Sequence, residues 1–251
     1  MSTSAVALVV GGSRGIGQSV AMRLARAGYG VIVVGRDPER LAQLERTAQA
    51  EALRLMTVSV DICDAEQSTS ALDKAAASFG APTVFVHAAA AMYRHQRLHF
   101  MNEQEADRLL DTDLRSAIHL TRWVLPAMSA AGYGRIIYLG SLAARIGIPG
   151  AALYASAKAG LEGLCRGVAL DYAKRGITAN TLSIGVAASE RMLERTASDE
   201  AKQAALLAKI ATGRFVEPEE IAETVLFLCS EHARSITGSV IDITGGAHLN
   251  V

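Results

Sequence analysis

Hydrophobic positions along the chain fall into two alternating kinds of segment. Short apolar runs rich in β-branched residues recur at 5–10 (AVALVV), 31–34 (VIVV), 55–60 (LMTVSV), 83–87 (TVFVH), 135–139 (RIIYL), 177–183 (ITANTLS) and 239–243 (SVIDI). They read as near-continuous hydrophobic strands, the pattern of a sheet covered on both faces. Between them lie helical patterns at 15–28, 38–52, 65–79, 103–131, 151–175 and 217–230. Strand–helix alternation at this spacing predicts βαβ units, and hence an α/β fold: a doubly wound parallel sheet with helices on both faces. The segment 188–213 departs from the alternation. It is richer in charge and helical in flavour (ERMLERTASDEAKQAALLAKI), and its place before the last helix and strand suits a lid over a ligand crevice better than a second domain. With no internal repeat, low-complexity tract or Pro/Gly-rich linker, residues 1–251 read as one domain.

Composition narrows the function. Half of the 251 residues are hydrophobic and 20% are charged, which suffices for a large core. Lys+Arg and Asp+Glu stand at 25 each, so net charge gives no electrostatic case for binding nucleic acid or an acidic membrane surface. The opening MSTSAVALVVGGSRG has no basic leader, and its apolar run is too short for a signal segment or a membrane span, so a cytoplasmic protein is expected. Cys63, Cys165 and Cys229 are far apart and odd in number; they read as buried free thiols, and no metal site is expected.

The stretch VVGGSRGIGQS (9–19) places glycines where the first strand should turn into the first helix. Helix N-termini carry unpaired N–H groups and partial positive charge, and glycines let that backbone approach a diphosphate. An ordinary glycine-rich β–α turn has the same composition; the position after the first strand favours a dinucleotide. In NAD binders an acidic residue at the end of the second strand takes the ribose 2′-hydroxyl. Here that end reads VIVVGRDPER. Arg36, with Arg14 in the loop, suits a 2′-phosphate and therefore NADP(H). Asp37 is the competing reading: a displaced ribose acceptor, or simply the cap of the helix at 38–52.

A second cluster lies at 138–164, YLGSLAARIGIPGAALYASAKAGLEGL. Tyr154 and Lys158 are four apart and share a helix face. Ser141 falls just past the strand 135–139, at the carboxyl edge where open α/β sheets bind ligands. Ketone reduction needs a hydride from one side and a proton delivered to the oxygen. A free phenol holds its proton too tightly to exchange it readily near neutrality. An ammonium ~4 Å away, at an effective dielectric of ~20, supplies about 4 kcal/mol towards its release. Tyr154 would then serve as the acid, with Ser141 bonding the substrate oxygen as charge develops. Lys158 would also reach the nicotinamide ribose. A capping serine, a core-edge tyrosine and a snorkelling lysine are the structural alternatives taken one at a time.

GGSRGIG (11–17), DI (61–62), Ser141, YASAK (154–158), RGITAN (175–180) and ITGSVIDITGG (236–246) together resemble the classical short-chain dehydrogenase/reductase family over essentially the whole chain, and the 3-oxoacyl-acyl-carrier-protein reductases within it. The resemblance implies a seven-stranded Rossmann core and hydride transfer between a nicotinamide and an alcohol or carbonyl. It implies Ser141, Tyr154 and Lys158 as the catalytic trio, with Asp113 at the place of the family's catalytic Asn. Gly11, Ser13, Arg14, Gly15, Ile16, Gly17 and Arg36 would hold the phosphates, and Asp61 and Ile62 the adenine. His87, Ala88 and Ala89 would line the cofactor site, as would Ile184, Gly185, Val186, Ala187 and Ser189 beside the carboxamide. It also implies a homotetramer built on two long helices, and small residues at Ala157, Gly160, Gly163 and Gly167 would permit the close helix approach. Four positions depart from the family pattern: Val10 for Thr, HAAA (87–90) for NNAG, Ile184-Gly185 for Pro-Gly, and Asp113 for Asn. As an Asp, residue 113 would either accept the water that the Asn holds or pair with Lys158. His87 reads as a satisfied strand-end histidine, or else as a ligand-polar or pH-sensing group. Arg175 matches one of two basic places that face an acyl carrier protein, while the other reads MSAAGYG (128–134) with no cation before Arg135. A carrier-bound 3-oxoacyl thioester and a specialised-metabolite ketone both stay open as substrate, set by 91–100, 142–150 and 188–213. A non-catalytic NADP-binding regulator that kept the fold is the alternative function.

Overall fold

The computed structural model describes residues 5–189, 192 and 199–249. Each apolar run forms a strand close to its expected limits: β1 Val6–Val10, β2 Gly30–Gly35, β3 Leu55–Ser59, β4 Val84–His87, β5 Gly134–Leu139, β6 Ile177–Ile184 and β7 Val240–Ile243. They pair in parallel in the order β3-β2-β1-β4-β5-β6-β7. The strand order reverses between β1 and β4, and that switch point opens a crevice at the carboxyl edge.

Eight helices among the described residues complete the layers: α1 Gly15–Arg26, α2 Pro38–Ala50, α3 Ala65–Phe79, α4 Glu103–Leu110, α5 Ser116–Ala131, α6 Ala152–Tyr172, α7 Glu200–Leu207 and α8 Pro218–Leu228. Alternate strand residues point to opposite faces, so β1 feeds two cores. Ala7 and Val9 meet Leu24 of α1, Leu44 of α2 and Val225 of α8 on one face. Leu8 and Val10 meet Leu72 of α3, Leu120 of α5 and Leu161 of α6 on the other. Every residue of β1, β4, β5 and β6 is buried. At roughly 1.5–3 kcal/mol for each large apolar side chain fully buried, the two cores supply the main force that holds the layers together.

Three expectations change in detail. The helix expected over 103–131 is α4 and α5 joined by a π turn, Asp111–Arg115. The wider turn brings Thr112 and Asp113 into the interior. The helix expected to reach 175 leaves α-geometry after Tyr172; a 3-10 turn, Ala173–Arg175, follows and Gly176 closes it at φ +74°. Cys165 and Cys229 are buried free thiols, but Cys63 is exposed. It stands in the turn after β3, where its N–H bonds Asp61 at the rim of the sheet. Of the expected lid, residues 190, 191 and 193–198 lie outside the described residues, and the described remainder contains α7. Among the described residues no helix is long and apolar enough to cross a membrane.

Candidate active site

Two clefts meet at the carboxyl edge. The first, about 240 Å3, is lined by Gly11, Ser13, Arg14, Gly15, Ile16 and Gly17 from the glycine loop and by Arg36, Asp61, Ile62, Ala88 and Ala89 from the ends of β2 to β4. The loop glycines serve different purposes. Gly11 has φ +78°, and a Cβ there would strike the Ala89 backbone at 2.6 Å; a Cβ on Gly17 would strike Gly11 O at 2.3 Å. Gly11 lets the turn lie against the chain after β4, and Gly17 lets α1 pack hard against the turn. At Gly15, φ +54°, a Cβ would meet nothing closer than Ser189 Cβ at 3.9 Å, so this glycine leaves an open floor.

The N-terminus of α1 is not capped from within. Arg14 at the N-cap makes no side-chain cap bond, and the first turn carries no acidic residue. The helices α2, α3 and α4, by contrast, are capped by Asp37, Asp64 and Asn102. Unpaired N–H groups, a helix dipole and two nearby arginines fit a phosphate-bearing ligand. Asp37 Oδ1 accepts the N–H groups of Glu39 and Arg40, both at 3.1 Å, which commits that carboxylate to the helix cap. Of the two residues left open after β2, Arg36 therefore borders the cleft; it lies 4.0 Å from Asp61 in an exposed ion pair.

The second cleft, about 690 Å3, shares Ile16, Ala88, Ala90 and Ser189 with the first. Ser141, Tyr154 and Lys158 all line it, as do Ile184, Gly185, Val186 and Ala187. Ser141 caps the 3-10 turn Leu142–Ala144, its Oγ accepting the Ala143 N–H at 3.2 Å. Lys158 Nζ lies 5.7 Å from the centre of the Tyr154 ring and donates to Leu139 O at 3.1 Å. The three loops singled out for substrate choice all contribute: Tyr93 and His95, Ala143 and Ile148, and Met192 and Leu206 of the third segment's described part.

Behind this wall sits a buried ion pair. Asp113 is completely buried, and its Oδ2 stands 3.3 Å from Lys158 Nζ. Its Oδ1 accepts the Ala91 N–H at 2.6 Å. Burial works against the Lys158 charge, but Asp113, with a further contribution from Tyr154, holds the amine above its ordinary range. Of the two roles open to Asp113, the geometry is that of the pair with Lys158. His87, expected among the cofactor-lining residues, lines neither cleft and is fully buried at the end of β4. Its Nε2 shares a hydrogen bond with Ser116 Oγ at 2.8 Å. Burial first, and the Lys158 charge second, push it down to about 3, so it is neutral near pH 7.

A family model described as enoyl-(acyl carrier protein) reductase matches residues 10–248. The 3-oxoacyl-acyl-carrier-protein reductase of Staphylococcus aureus is 34% identical over 250 residues, covering 99% of this chain and 100% of the relative. The chain belongs to the short-chain dehydrogenase/reductase family. It is an oxidoreductase acting on CH–OH or C=O groups. The reductase of the same name from Escherichia coli K12 is also 34% identical, over 97% of each chain. A solved gluconate 5-dehydrogenase from Burkholderia cenocepacia, in complex with NADP and tartrate, superposes with a TM-score of 0.92 at 27% identity, covering 98% of this chain and 96% of that one. A variant actinorhodin polyketide ketoreductase with NADPH gives 0.92 at 26%, covering 98% and 97%.

Four contributors to the site are not identified by the sequence. Tyr93 stacks on Tyr154, with ring centres 4.4 Å apart and planes 16° from parallel. Tyr93 lies in segment 91–100, but nothing in the sequence pairs the two rings. Thr112 lines the first cleft, and the π turn that brings it there has no sequence signature. The Leu139 carbonyl and Ala91 N–H are backbone groups, which no residue pattern identifies.

The buried neutral His87 makes stability depend on pH. Its folded value lies below that of an unfolded histidine, so the unfolded chain binds the extra proton. The stabilisation is complete above the unfolded value of about 6.5 and drains away as pH falls towards about 3. In urea unfolding, His87→Asn should flatten the acid side of the stability curve by about 1.4 kcal/mol per pH unit between those limits. Parallel curves for wild type and variant would show that His87 takes up its proton as readily in the folded state as in the unfolded.

Proposed function

We propose that the protein reduces a ketone to a secondary alcohol with NADPH, or runs the reverse reaction with NADP+, and that Tyr154 is its proton donor. The observation that carries this reading is that Ser141, Tyr154 and Lys158 line one cleft that opens directly onto the glycine-loop cleft. When bound, the nicotinamide supplies or takes up the hydride.

The chain's own residues divide the remaining work. The uncapped N–H groups of α1, with Arg14 and Arg36, hold phosphates. Asp61 and Ile62 frame the adenine, and Gly11, Ser13, Gly15, Ile16 and Gly17 shape the floor between. Ala88, Ala89, Ile184, Gly185, Val186, Ala187 and Ser189 border the nicotinamide half. His87 supports that wall from inside. Ser141 Oγ accepts from Ala143 and so keeps its own proton to donate to the substrate oxygen. Tyr154 passes its proton to that oxygen as negative charge gathers there. The Lys158 ammonium stabilises the phenolate left behind. Asp37, tied up as a cap, leaves Arg36 as the group for a 2′-phosphate, which favours NADPH over NADH.

The relatives named for 3-oxoacyl-carrier substrates make a 3-oxoacyl thioester the first ketone to try. Arg175, the one matched carrier-facing cation, lies at the amino end of β6, across the sheet from its own chain's cleft. A carrier docked there would deliver to the cleft of another copy. Along α6, Gly160 packs on Leu114 of the same chain, while a Cβ at Gly163 or Gly167 would meet nothing within 4 Å, and Leu170 is 83% exposed. This outer strip suits a second copy, and we read the protein as a homotetramer working in the cytoplasm. Segment 188–213 is read as the lid of the single domain.

Three measurements test these readings. Tyr154→Phe should lower ketone-dependent NADPH oxidation by about 100-fold or more, on a panel of acetoacetyl thioester and aliphatic and aromatic ketones, while NADPH fluorescence titration stays as in the wild type. A panel with no turnover favours the non-catalytic regulator, whereas turnover indifferent to the substitution removes Tyr154 as the proton donor. Arg36→Ala should weaken NADPH binding about tenfold or more and leave NADH binding unaffected; equal losses for both would assign Arg36 no role in cofactor choice. Light scattering at micromolar concentration should give four chains per particle, and a monomer would remove the role assigned to the α6 strip.

A further inference from the structure

The proposed proton transfer leaves the buried charge of Asp113 unused. Asp113 is completely enclosed on the π turn, with one oxygen on the Ala91 N–H at 2.6 Å and the other 3.3 Å from Lys158 Nζ. Four groups face or neighbour the Lys158 amine: Asp113 from the π turn, the Leu139 carbonyl from β5, Tyr154 from α6 and His87 from β4. His87 is neutral near pH 7. The ion pair with Asp113 is the one that Lys158 makes among the described residues. A hydrophobic pair of similar volume would commonly be as stable as a buried ion pair, so stability alone does not explain this one.

The second oxygen of Asp113 gives the reason. Ala91 borders the substrate cleft, and two residues further on Tyr93 lies stacked on Tyr154. A single carboxylate is thus ion-paired with the ammonium through one oxygen and hydrogen-bonded through the other to the stretch of backbone that carries the stacked ring.

We propose that Asp113 is a positioning residue which keeps Lys158 an ammonium and, through the Ala91 amide, holds the Tyr93 wall against Tyr154, so that the site stays charged and assembled in alkaline solution. The proposal rests on Tyr154 being the proton donor. Without the carboxylate, burial acts unopposed on Lys158, which then gives up its proton at lower pH. The two roles separate by substitution. Asp113→Asn keeps an oxygen for the Ala91 N–H and removes the charge; Asp113→Ala removes both.

The test uses the full-length protein without added cofactor, labelled with 13C at lysine Cε, with Lys158 identified by the resonance that Lys158→Arg removes. In the wild type this resonance should keep its ammonium position at pH values where the exposed lysines have titrated. In Asp113→Asn it should titrate about one pH unit lower than in the wild type, or more. In the ketone assay, the rate lost by Asp113→Asn should grow as pH rises, whereas Asp113→Ala should also raise KM at every pH. A wild-type Lys158 that titrates with the exposed lysines, or below them, overturns the proposal without any variant. So does an Asp113→Asn rate profile that runs parallel to the wild type's. Failure of the proton-donor reading shows separately, as a Tyr154→Phe enzyme that turns over normally in the same assay.

Discussion

A parallel sheet covered on both faces leaves its strands no room for chemistry. With every side chain of β1, β4, β5 and β6 buried, a reactive group on a strand would face either apolar packing or another strand. Polar function is forced to the carboxyl edge, one or two residues past each strand. The chain obeys this strand by strand. Gly11 follows β1, Arg36 follows β2, Asp61 lies just past β3, Ala88 follows β4, Ser141 lies just past β5 and Gly185 follows β6. All six line one or other of the two joined clefts. The site is a consequence of the sheet's direction, and α6 adds Tyr154 and Lys158 because its first turns start at that same edge.

The same constraint creates the main electrostatic problem. Lys158 reaches from α6 to the last carbonyl of β5, under the rim of the sheet, and is almost wholly buried there. A charge in such a place costs several kcal/mol unless it is paired. The long helix over 103–131 supplies the partner by widening at Asp111–Arg115, which turns Asp113 inward. The pair is closed off from the His87 side as well, since that ring is neutral near pH 7 and bonded to Ser116. The Lys158 charge, the Tyr93 wall and Tyr154 are therefore linked through one carboxylate.

How far the sequence discloses this follows from which forces act locally. The strands are legible because burial on both faces demands continuous apolar runs, and the runs end within a residue or two of the observed strands. The glycine loop is legible because tight turns and close approach exclude side chains at Gly11 and Gly17. The choice between Arg36 and Asp37 is half legible: both readings of Asp37 fit the letters, and its two backbone bonds decide for the cap. The π turn is not legible, since DTDLR has no feature that separates it from ordinary helix. The exposure of Cys63 is not legible because thiol burial depends on tertiary placement, and the turn after β3 lies at the surface. The Tyr93–Tyr154 stack joins a loop residue to one in the first turn of α6, a contact that no local pattern specifies.

That stack bears on why proteins with such similar folds carry different substrate names. The gluconate 5-dehydrogenase and the polyketide ketoreductase superpose on this chain equally well, at a TM-score of 0.92. Shared backbone therefore accounts for the shared kind of reaction and leaves selection to the loops. In this chain two of those loops are locked together. The Gln96 N–H donates to Gly150 O at 3.0 Å, and His95 Nδ1 bonds Pro149 O at 3.2 Å. Gly150 has φ +75°, and a Cβ on it would strike Gln96 N at 2.8 Å, so only glycine lets the loops come this close. Tyr93, His95 and Ile148 consequently form one preformed wall rather than two independent loops. This wall stands beside a Tyr154 ring covered on one face by Tyr93. Met192 and Leu206 line the same cleft from a different segment of the chain.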